Sequence, residues 1–245
     1  MVRTCDRLGF GTDQVKVATI TRTIMGKWMS DLDLTGRLQH IEGLENELIK
    51  KGAGLLGVGT GLRDADFFIM GAMRRTLAQA RGFRDLIKTR NFPCAAALLR
   101  LQLDTAMRVN ALSMVEDPDA VCKAVLEGEQ FNRLKSRDGQ KLSDAFLREK
   151  LAEEHPWISM VYKQTSDLVH LSGRHFQVSI AGTDDETGAA FFFISGHDPD
   201  RPDETYFEVV DAFFKATKVS GMLMLAFLTA RHRREEMLAL INREG

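Results

Sequence analysis

The sequence has little proline and cysteine for its 245 residues, and both shortages narrow what the protein can be. With only five prolines the chain can form long helices, because a proline inside a helix removes a hydrogen bond and clashes with the preceding turn. Its three cysteines, Cys5, Cys94 and Cys122, form no CxxC pair and have no metal-ligand spacing. We therefore expect free thiols in a reducing compartment, with no metal site and no cofactor.

The sequence also lacks an excess of charge of one sign and a long hydrophobic run. The 33 Lys and Arg residues nearly cancel the 34 Asp and Glu residues, so the chain has no overall basic field for nucleic acid, although a local basic patch is compatible with this balance. The longest apolar stretch, 219–230, contains Ser, Gly and Thr and is too short for a membrane span. Because MVRTCDRLGFG has no apolar signal core, we expect a cytoplasmic protein without a membrane partner.

Apolar residues recur at helical spacing along most of the chain. The segment 94–115 is apolar almost all the way round, so we expect it to be the central, buried helix. The pattern predicts helices over 14–30, 35–51, 66–90, 94–115, 117–134, 143–154, 157–171 and 204–242.

Two segments depart from the helical pattern. Residues 52–66 begin with five glycines in ten residues, which predicts a linker. The G-x-G-x-x-G formed by Gly52, Gly54 and Gly57 follows a helical pattern instead of a strand, so it favours a connecting loop over a dinucleotide site. Further on, HFQVSIAG and GAAFFFISG are separated by TDDET, which predicts a β-hairpin.

These patterns predict a mainly α protein, a helical bundle with one β-hairpin inserted before the long C-terminal helix. One helical domain is expected over 1–245. Within it, we expect N-terminal helices and a Gly-rich linker over 1–62, the core bundle over 63–174, the hairpin over 175–196 and the C-terminal helix over 203–242. Because a two-stranded hairpin is marginal alone, it should pack on the bundle or on a partner subunit.

Charged residues line one side of the predicted central helix. Arg100, Asp104 and Arg108 are spaced i, i+4, i+8, and the rest of that helix is apolar, so we expect them to be partly buried. Buried charges cost several kcal/mol unless they are paired, so Arg100→Ala should destabilise the protein by stranding Asp104. One interpretation is a structural Asp–Arg network between helices. The other is an anion site whose guanidinium groups point into a cavity.

A second stripe has the same spacing. Tyr162, Ser166 and His170 follow one another at i, i+4, i+8 in the helix predicted over 157–171. If this helix packs on the central one, His170 is a candidate general acid or base, with Tyr162 and Ser166 supplying proton transfer or hydrogen bonds. His175, where the helix gives way to the hairpin, would line the same ligand-binding mouth. The alternative is the solvated edge of an amphipathic helix.

The two stripes together resemble a known group of proteins. AALLRLQLD, followed some sixty residues later by YKQTSDLVH, is similar to uncharacterised bacterial helical proteins distantly akin to HEPN domains. The resemblance covers roughly 67–175. It implies a helical bundle, often dimeric, and in some relatives RNA cleavage or nucleotide binding in stress and defence systems.

The sequence departs from that group at its catalytic motif. HEPN ribonucleases carry Arg-x4–6-His near a helix end, and the formal match here is Arg148 to His155. This pair lies among acidic residues directly before Pro156, an unfavourable place to hold a phosphate. Whether the protein is an enzyme, with ribonuclease activity, is therefore left open.

Two functional hypotheses follow. The first is a HEPN-like protein that binds a phosphate-bearing ligand, RNA or a nucleotide, held by Arg100 and Arg108 with Asp104 orienting them. The second is a non-enzymatic helical interaction or oligomerisation protein whose charged stripes are structural networks. Both are compatible with a homo-oligomer. A site open to solvent favours the first hypothesis, and a closed, fully paired network favours the second.

Overall fold

The structure, a computed structural model of the chain, describes residues 31–56, 61–184 and 186–233, without the side chains of Arg174, Gln177 and Val178. The helix predicted over 14–30 lies outside these residues. So does the part of the predicted C-terminal helix beyond Arg233.

Helices make up most of the described chain. They are α1 Leu34–Leu55, α2 Asp64–Lys88, α3 Phe92–Ala111, α4 Pro118–Leu126, α5 Asp144–Glu154, α6 Trp157–Val169, α7 Gly173–Ser179 and α8 Phe207–His232. Strand β1, Ile180–Asp184, pairs antiparallel with β2, Ala189–Phe192, and single 3-10 turns lie at Phe131–Arg133 and Asp203–Tyr206. The predicted mainly α bundle, with one hairpin before the long last helix, is confirmed.

Short polar side chains fix where several helices begin. Each accepts a hydrogen bond from a backbone N–H of the first turn, which has no partner inside the helix. Proline also occupies the first turn of α3 and of α4, where its missing N–H costs nothing. The capping residues are Asp33 of α1, Asn91 of α3, Asp117 of α4 and Ser143 of α5.

The glycine-rich segment is partly helical, so the predicted linker begins too early. α1 continues through Gly52 and Gly54 to Leu55, and the third glycine of the motif, Gly57, lies outside the described residues. A Cβ on Gly52 would lie 3.0 Å from the sulfur of Met73 in α2. The glycine therefore lets α1 and α2 approach each other, and this packing outweighs its low helix propensity.

Two other predicted elements are shorter in the structure. HFQVS was predicted as a strand but belongs to helix α7, so the hairpin begins at Ile180. Short apolar runs fit a helix or a strand equally well by periodicity alone. α4 ends at Leu126, well before the end of the helix predicted over 117–134, because Gly128 takes a φ of 101°, which a helix cannot accommodate.

The hydrophobic core surrounds α3, which contacts α2, α5, α6 and α8. Leu99, Leu103 and Met107 of α3 are fully buried, which confirms the expectation of a central helix. Across the core, the rings of Phe83 in α2 and Phe213 in α8 stack with centroids 3.9 Å apart. The outward side of α3 is left to carry the charged stripe.

The last helix is the most apolar long element of the described chain. By length and composition, Asp203–His232 passes as a membrane span, and 44% of its most apolar window is buried inside the protein. One such helix is weak evidence for a membrane span, because buried core helices pass the same test of length and composition.

A buried ion pair joins α1 to α8. The side chains of Arg37 and Asp211 are each 5% exposed and form a hydrogen-bonded salt bridge. Arg37 also donates to the backbone oxygen of Leu32 at 2.9 Å, and its guanidinium lies 4.1 Å from the centroid of the Phe207 ring. Burial raises the pKa of Asp211, although Arg37 opposes that shift. The pair is thus held in place at a desolvation cost.

Candidate functional site

The charged stripe of α3 lies on one partly buried face. The side chains of Arg100, Asp104 and Arg108 are 13%, 16% and 29% exposed. This agrees with the partial burial expected from the apolar surroundings of the stripe. Such charges need partners, and neighbouring helices provide them.

Arg100 of α3 makes direct side-chain contacts with Tyr162 of α6. Its guanidinium lies 3.6 Å from the centroid of the Tyr162 ring and donates a hydrogen bond to the phenolic oxygen. The Asp144 carboxylate of α5 is 3.7 Å from the same guanidinium. One arginine therefore links three helices through a cation–π contact, a hydrogen bond and an ion pair.

Arg108 forms ion pairs with two carboxylates of the site. Its Nη2 lies 2.9 Å from Asp104 Oδ1 and 3.2 Å from Asp144 Oδ1. Asp104 is therefore paired with Arg108, and not with Arg100 as the sequence suggested. Helical spacing places Arg100 and Arg108 each about one turn from Asp104, so the sequence alone does not show which arginine pairs with it.

Two further arginines complete the site and were missed in the sequence stripe. Arg75 of α2 lies 3.7 Å from Asp104 Oδ2 and donates to Thr105 Oγ1 at 3.0 Å. Arg148 of α5 lies 5.4 Å from the Tyr162 ring centroid, and its Nε is buried without a hydrogen-bond partner among the described residues. The only sequence signal for Arg148 was its formal match to the HEPN motif, and nothing in the sequence pointed to Arg75.

We call this site the arginine cluster. Its four guanidinium groups lie beside three carboxylates, because Arg148 also pairs with Glu149 at 3.4 Å, and this leaves a formal charge of +1. An excess of guanidinium groups at a partly exposed site is the arrangement that attracts an anion. The cluster consists of Arg75, Arg100, Arg108 and Arg148 with Asp104, Asp144, Glu149 and Tyr162.

Tyr162 is the neutral hydrogen-bonding group of the cluster. Burial raises the pKa of its phenol, and Asp144 and Asp104 act in the same direction, while Arg100 and Arg148 oppose them. The phenol therefore stays protonated at neutral pH. Since its oxygen accepts from Arg100, its own proton can be donated to a bound ligand.

The remaining residues proposed from the sequence lie away from the cluster. Ser166 Oγ donates to the backbone oxygen of Tyr162 at 2.7 Å, inside its own helix. His170 is exposed at the C-terminal end of α6, about 12 Å along the helix from Tyr162. His175 Nδ1 accepts from the backbone N–H of Ser172 at 3.4 Å. Of the second stripe, the structure brings Tyr162 into the cluster.

Another charged group anchors the end of α8. The fully buried Asp66 carboxylate lies 2.8 Å from His232 Nε2 and 3.1 Å from Arg231 Nε. Arg231 also holds both oxygens of Asp119 at 2.8 Å. The charges of this group are paired across α2, α4 and α8, as in a structural network. Among the described residues, no group of three or more His, Cys, Asp or Glu side chains is placed to hold a metal ion.

Comparison of the chain with protein-family models, with curated proteins and with solved structures finds no match. The chemistry of the arginine cluster therefore carries the functional proposal.

Replacing Arg100 by alanine is expected to lower the free energy of unfolding by about 1.5–3 kcal/mol, the range for a charge-assisted hydrogen bond. The change removes the ring contact and hydrogen bond to Tyr162, while Asp104 keeps Arg108 and Arg75. Urea unfolding measures the difference, with Arg133→Ala as the control because that side chain is 69% exposed. Equal stability of Arg100→Ala and the wild type would show that these contacts contribute nothing net.

Proposed function

We propose that the protein is a HEPN-like helical protein that binds a phosphate-bearing ligand, RNA or a nucleotide, at the arginine cluster. The observation that carries this proposal is the excess of guanidinium groups: four arginines from α2, α3 and α5 lie beside three carboxylates, one of which, Glu149, is 70% exposed. A purely structural network gains most when its charges are balanced, because each uncompensated charge adds repulsion and desolvation cost.

The geometry of the donors supports phosphate as the ligand group. A guanidinium presents several N–H donors in a plane, which matches two oxygens of a phosphate. Arg148 has a buried Nε without a partner in the described part of the chain, and Tyr162 has a hydroxyl proton to donate. The donors sit on rigid helices, so little conformational freedom is lost on binding.

The side chains of the arginine cluster differ in exposure, and this supports the approach of a ligand from the solvent side. Arg100 is 13% exposed and anchored on Tyr162, whereas the side chains of Arg75 and Asp144 are 45% and 47% exposed. Arg108, at 29%, lies between these extremes. A ligand oxygen can therefore reach the arginines from the outer rim without opening the bundle.

Any cleavage reaction would require a base outside the cluster. Tyr162 is held protonated and the carboxylates are engaged with arginines. His170, exposed at the end of α6, is the candidate for proton transfer within this proposal. A ligand that used it would have to extend along α6, as an RNA strand can and a mononucleotide cannot.

The test is binding of a labelled single-stranded RNA pool, and of ATP, to the wild-type protein and to an Arg100→Gln/Arg108→Gln variant. Removing two guanidinium groups should weaken binding at least tenfold, since each charge-assisted pair contributes about 1.5–3 kcal/mol. For RNA, the slope of log K against log salt should shrink by about 1.4, or 0.7 per lost phosphate contact. Arg133→Gln is the matched control on an exposed surface. Equal binding by the double variant would reject the cluster as the ligand site.

The same RNA pool tests catalysis. Wild-type protein and His170→Ala are incubated with it under conditions in which both are folded. Cleavage lost only in the variant would support an enzyme with His170 in its site. Binding without cleavage would leave a recognition protein.

The second candidate is a non-enzymatic helical interaction or oligomerisation protein. One observation favours it: Arg108 bridges Asp104 and Asp144 and so joins α3 to α5, as a structural network would. Failure of the wild type to bind either RNA or ATP would select this candidate. The stability loss expected for Arg100→Ala would then remain without any ligand effect.

A further inference from the structure

Exposed apolar side chains are concentrated on α7, on the segment just before it and on the hairpin. Leu171 and Ile194 are 94% and 93% exposed, and four phenylalanines nearby are between 38% and 59% exposed. Scattered exposed apolar residues are ordinary, but a contiguous group marks an interaction surface. We define the hairpin patch as Leu171, Phe176, Phe191, Phe192, Phe193 and Ile194.

The exposed apolar area of the patch is divided between the two faces of the hairpin. A fully buried aromatic side chain covers roughly 150–250 Å², so the six side chains together expose on the order of 700 Å². Successive side chains of a strand point to opposite faces, so Phe192, whose ring lies 5.6 Å from that of Phe176, is on the other face from Phe191. A stable complex of standard size buries about 800 Å² on each partner, so the patch supplies part of such an interface on each face.

Strand β2 also has an unprotected edge. The sheet contains only β1 and β2, so one side of β2 has no neighbouring strand in the described chain. Natural proteins protect such edges with charges, prolines or bulges. The sequence GAAFFFISG around β2 has none of these residues, and the irregular register lies between Ile180 and Gly182 of β1. The exposed edge of β2 is therefore ready to pair with another strand.

We propose that a second copy of this chain docks on the hairpin patch, with β2 pairing antiparallel to its equivalent and the two hairpins forming one four-stranded sheet. A strand placed antiparallel to an identical strand is self-complementary about a twofold axis. The main-chain groups of both edges then become hydrogen-bonded, and apolar side chains of the two copies lie next to one another on each face of the joined sheet.

Charge favours a second copy over nucleic acid as the occupant. The hairpin turn carries Asp184 and Glu186, which are exposed or half-exposed and would repel a phosphate backbone. In an antiparallel arrangement the two acidic turns lie at opposite ends of the joined sheet, so they do not face each other. This dimer surface is separate from the arginine cluster, and its test does not depend on ligand binding.

The test is the mass of the full chain in solution by sedimentation at micromolar concentrations. We expect a dimer for the wild type and at least tenfold weaker self-association for Phe191→Glu, because the substitution places like charges on two neighbouring strands and removes an apolar side chain from each. The control is Met222→Glu, whose side chain on α8 is 60% exposed and outside the patch, and which should remain dimeric. Circular dichroism verifies that all three proteins are folded.

Cysteines placed one at a time at 190, 191 and 192, in a chain with Cys5 and Cys94 changed to serine and the buried Cys122 retained, locate the contact. At least one of them should form a cross-linked dimer with a short bis-maleimide, because facing strands lie about 5 Å apart. A monomeric wild type, a dimer that survives Phe191→Glu, or the absence of cross-linking at all three positions would overturn the proposal. A monomer whose RNA binding is lost in Phe191→Glu would reassign the patch to nucleic acid.

Discussion

Replacing Arg37 by methionine is expected to lower the free energy of unfolding by about 3–5 kcal/mol at neutral pH, the cost of breaking a buried ion pair. Asp211, its partner, is 5% exposed, and its Oδ1 has no hydrogen-bond partner among the described residues. Without the guanidinium this buried carboxylate would keep only the weaker electrostatic influence of Lys215. Urea unfolding of both proteins measures the loss.

A double variant separates the ion pair from simple packing. Adding Asp211→Leu to Arg37→Met should recover most of the loss, since an apolar pair needs no charge compensation. The exposed Arg133→Met serves as the control and should change stability by no more than about 0.5 kcal/mol. A loss below about 1 kcal/mol in the single variant, or no recovery in the double one, would contradict this account.

The loss in Arg37→Met should also depend on pH. Burial raises the pKa of Asp211 above its ordinary value of 3.8, and Arg37 is the main opposing influence. A carboxyl with a raised pKa in the folded state favours folding when protonated, and that contribution disappears as the pH rises through the folded pKa. Removing Arg37 raises this pKa further. The destabilisation should therefore be smaller near pH 4 than at pH 7, and a loss that does not change with pH would be inconsistent with a buried carboxylate.

Changing Asp104 to asparagine is expected to have opposite effects on stability and on ligand binding. The substitution keeps the shape of the side chain but removes one of three negative charges, so the formal charge of the arginine cluster rises from +1 to +2. At separations of about 5–10 Å in a partly buried site, one unit charge is worth on the order of 1–3 kcal/mol. RNA or ATP should therefore bind about tenfold more tightly.

Stability should change in the other direction. Asp104 pairs with Arg108 at 2.9 Å and with Arg75 at 3.7 Å, so Asp104→Asn should lower the free energy of unfolding by about 1.5–3 kcal/mol. Asp85→Asn, an exposed position on α2, is the charge-matched control and should change neither property. If Asp104→Asn destabilises the protein without tightening binding, the cluster is a structural network. That result would support the hypothesis of a non-enzymatic interaction protein.

Much of the fold could be predicted because its signals are local. The helical period of apolar residues, with Asp33, Asn91, Asp117 and Ser143 as caps, placed most helices close to where they lie. The errors occurred where a distant contact overrides a local preference. Gly52 is helical because α2 packs against it, and α7 replaces part of a predicted strand.

The candidate site was predicted only in part. Spacing along α3 was enough to put Arg100, Asp104 and Arg108 on one face, since that arrangement follows from 3.6 residues per turn. The same spacing in α6 grouped Tyr162 with His170, but only Tyr162 reaches the cluster. Periodicity fixes the side of a helix on which a residue lies, and it says nothing about which part of that side touches a neighbour.

By itself, the sequence determined the helical class, the burial of α3 and the charged face that α3 carries. The tertiary structure decided which charges pair. Asp104 pairs with Arg108 and Arg75. Arg100 contacts Tyr162 and Asp144. Arg148 of α5 lies beside the Tyr162 ring. Helix formation is governed by contacts a few residues apart, whereas an ion pair between helices depends on how those helices are rotated and packed. That arrangement is set by the whole core, so no short segment of the sequence encodes it.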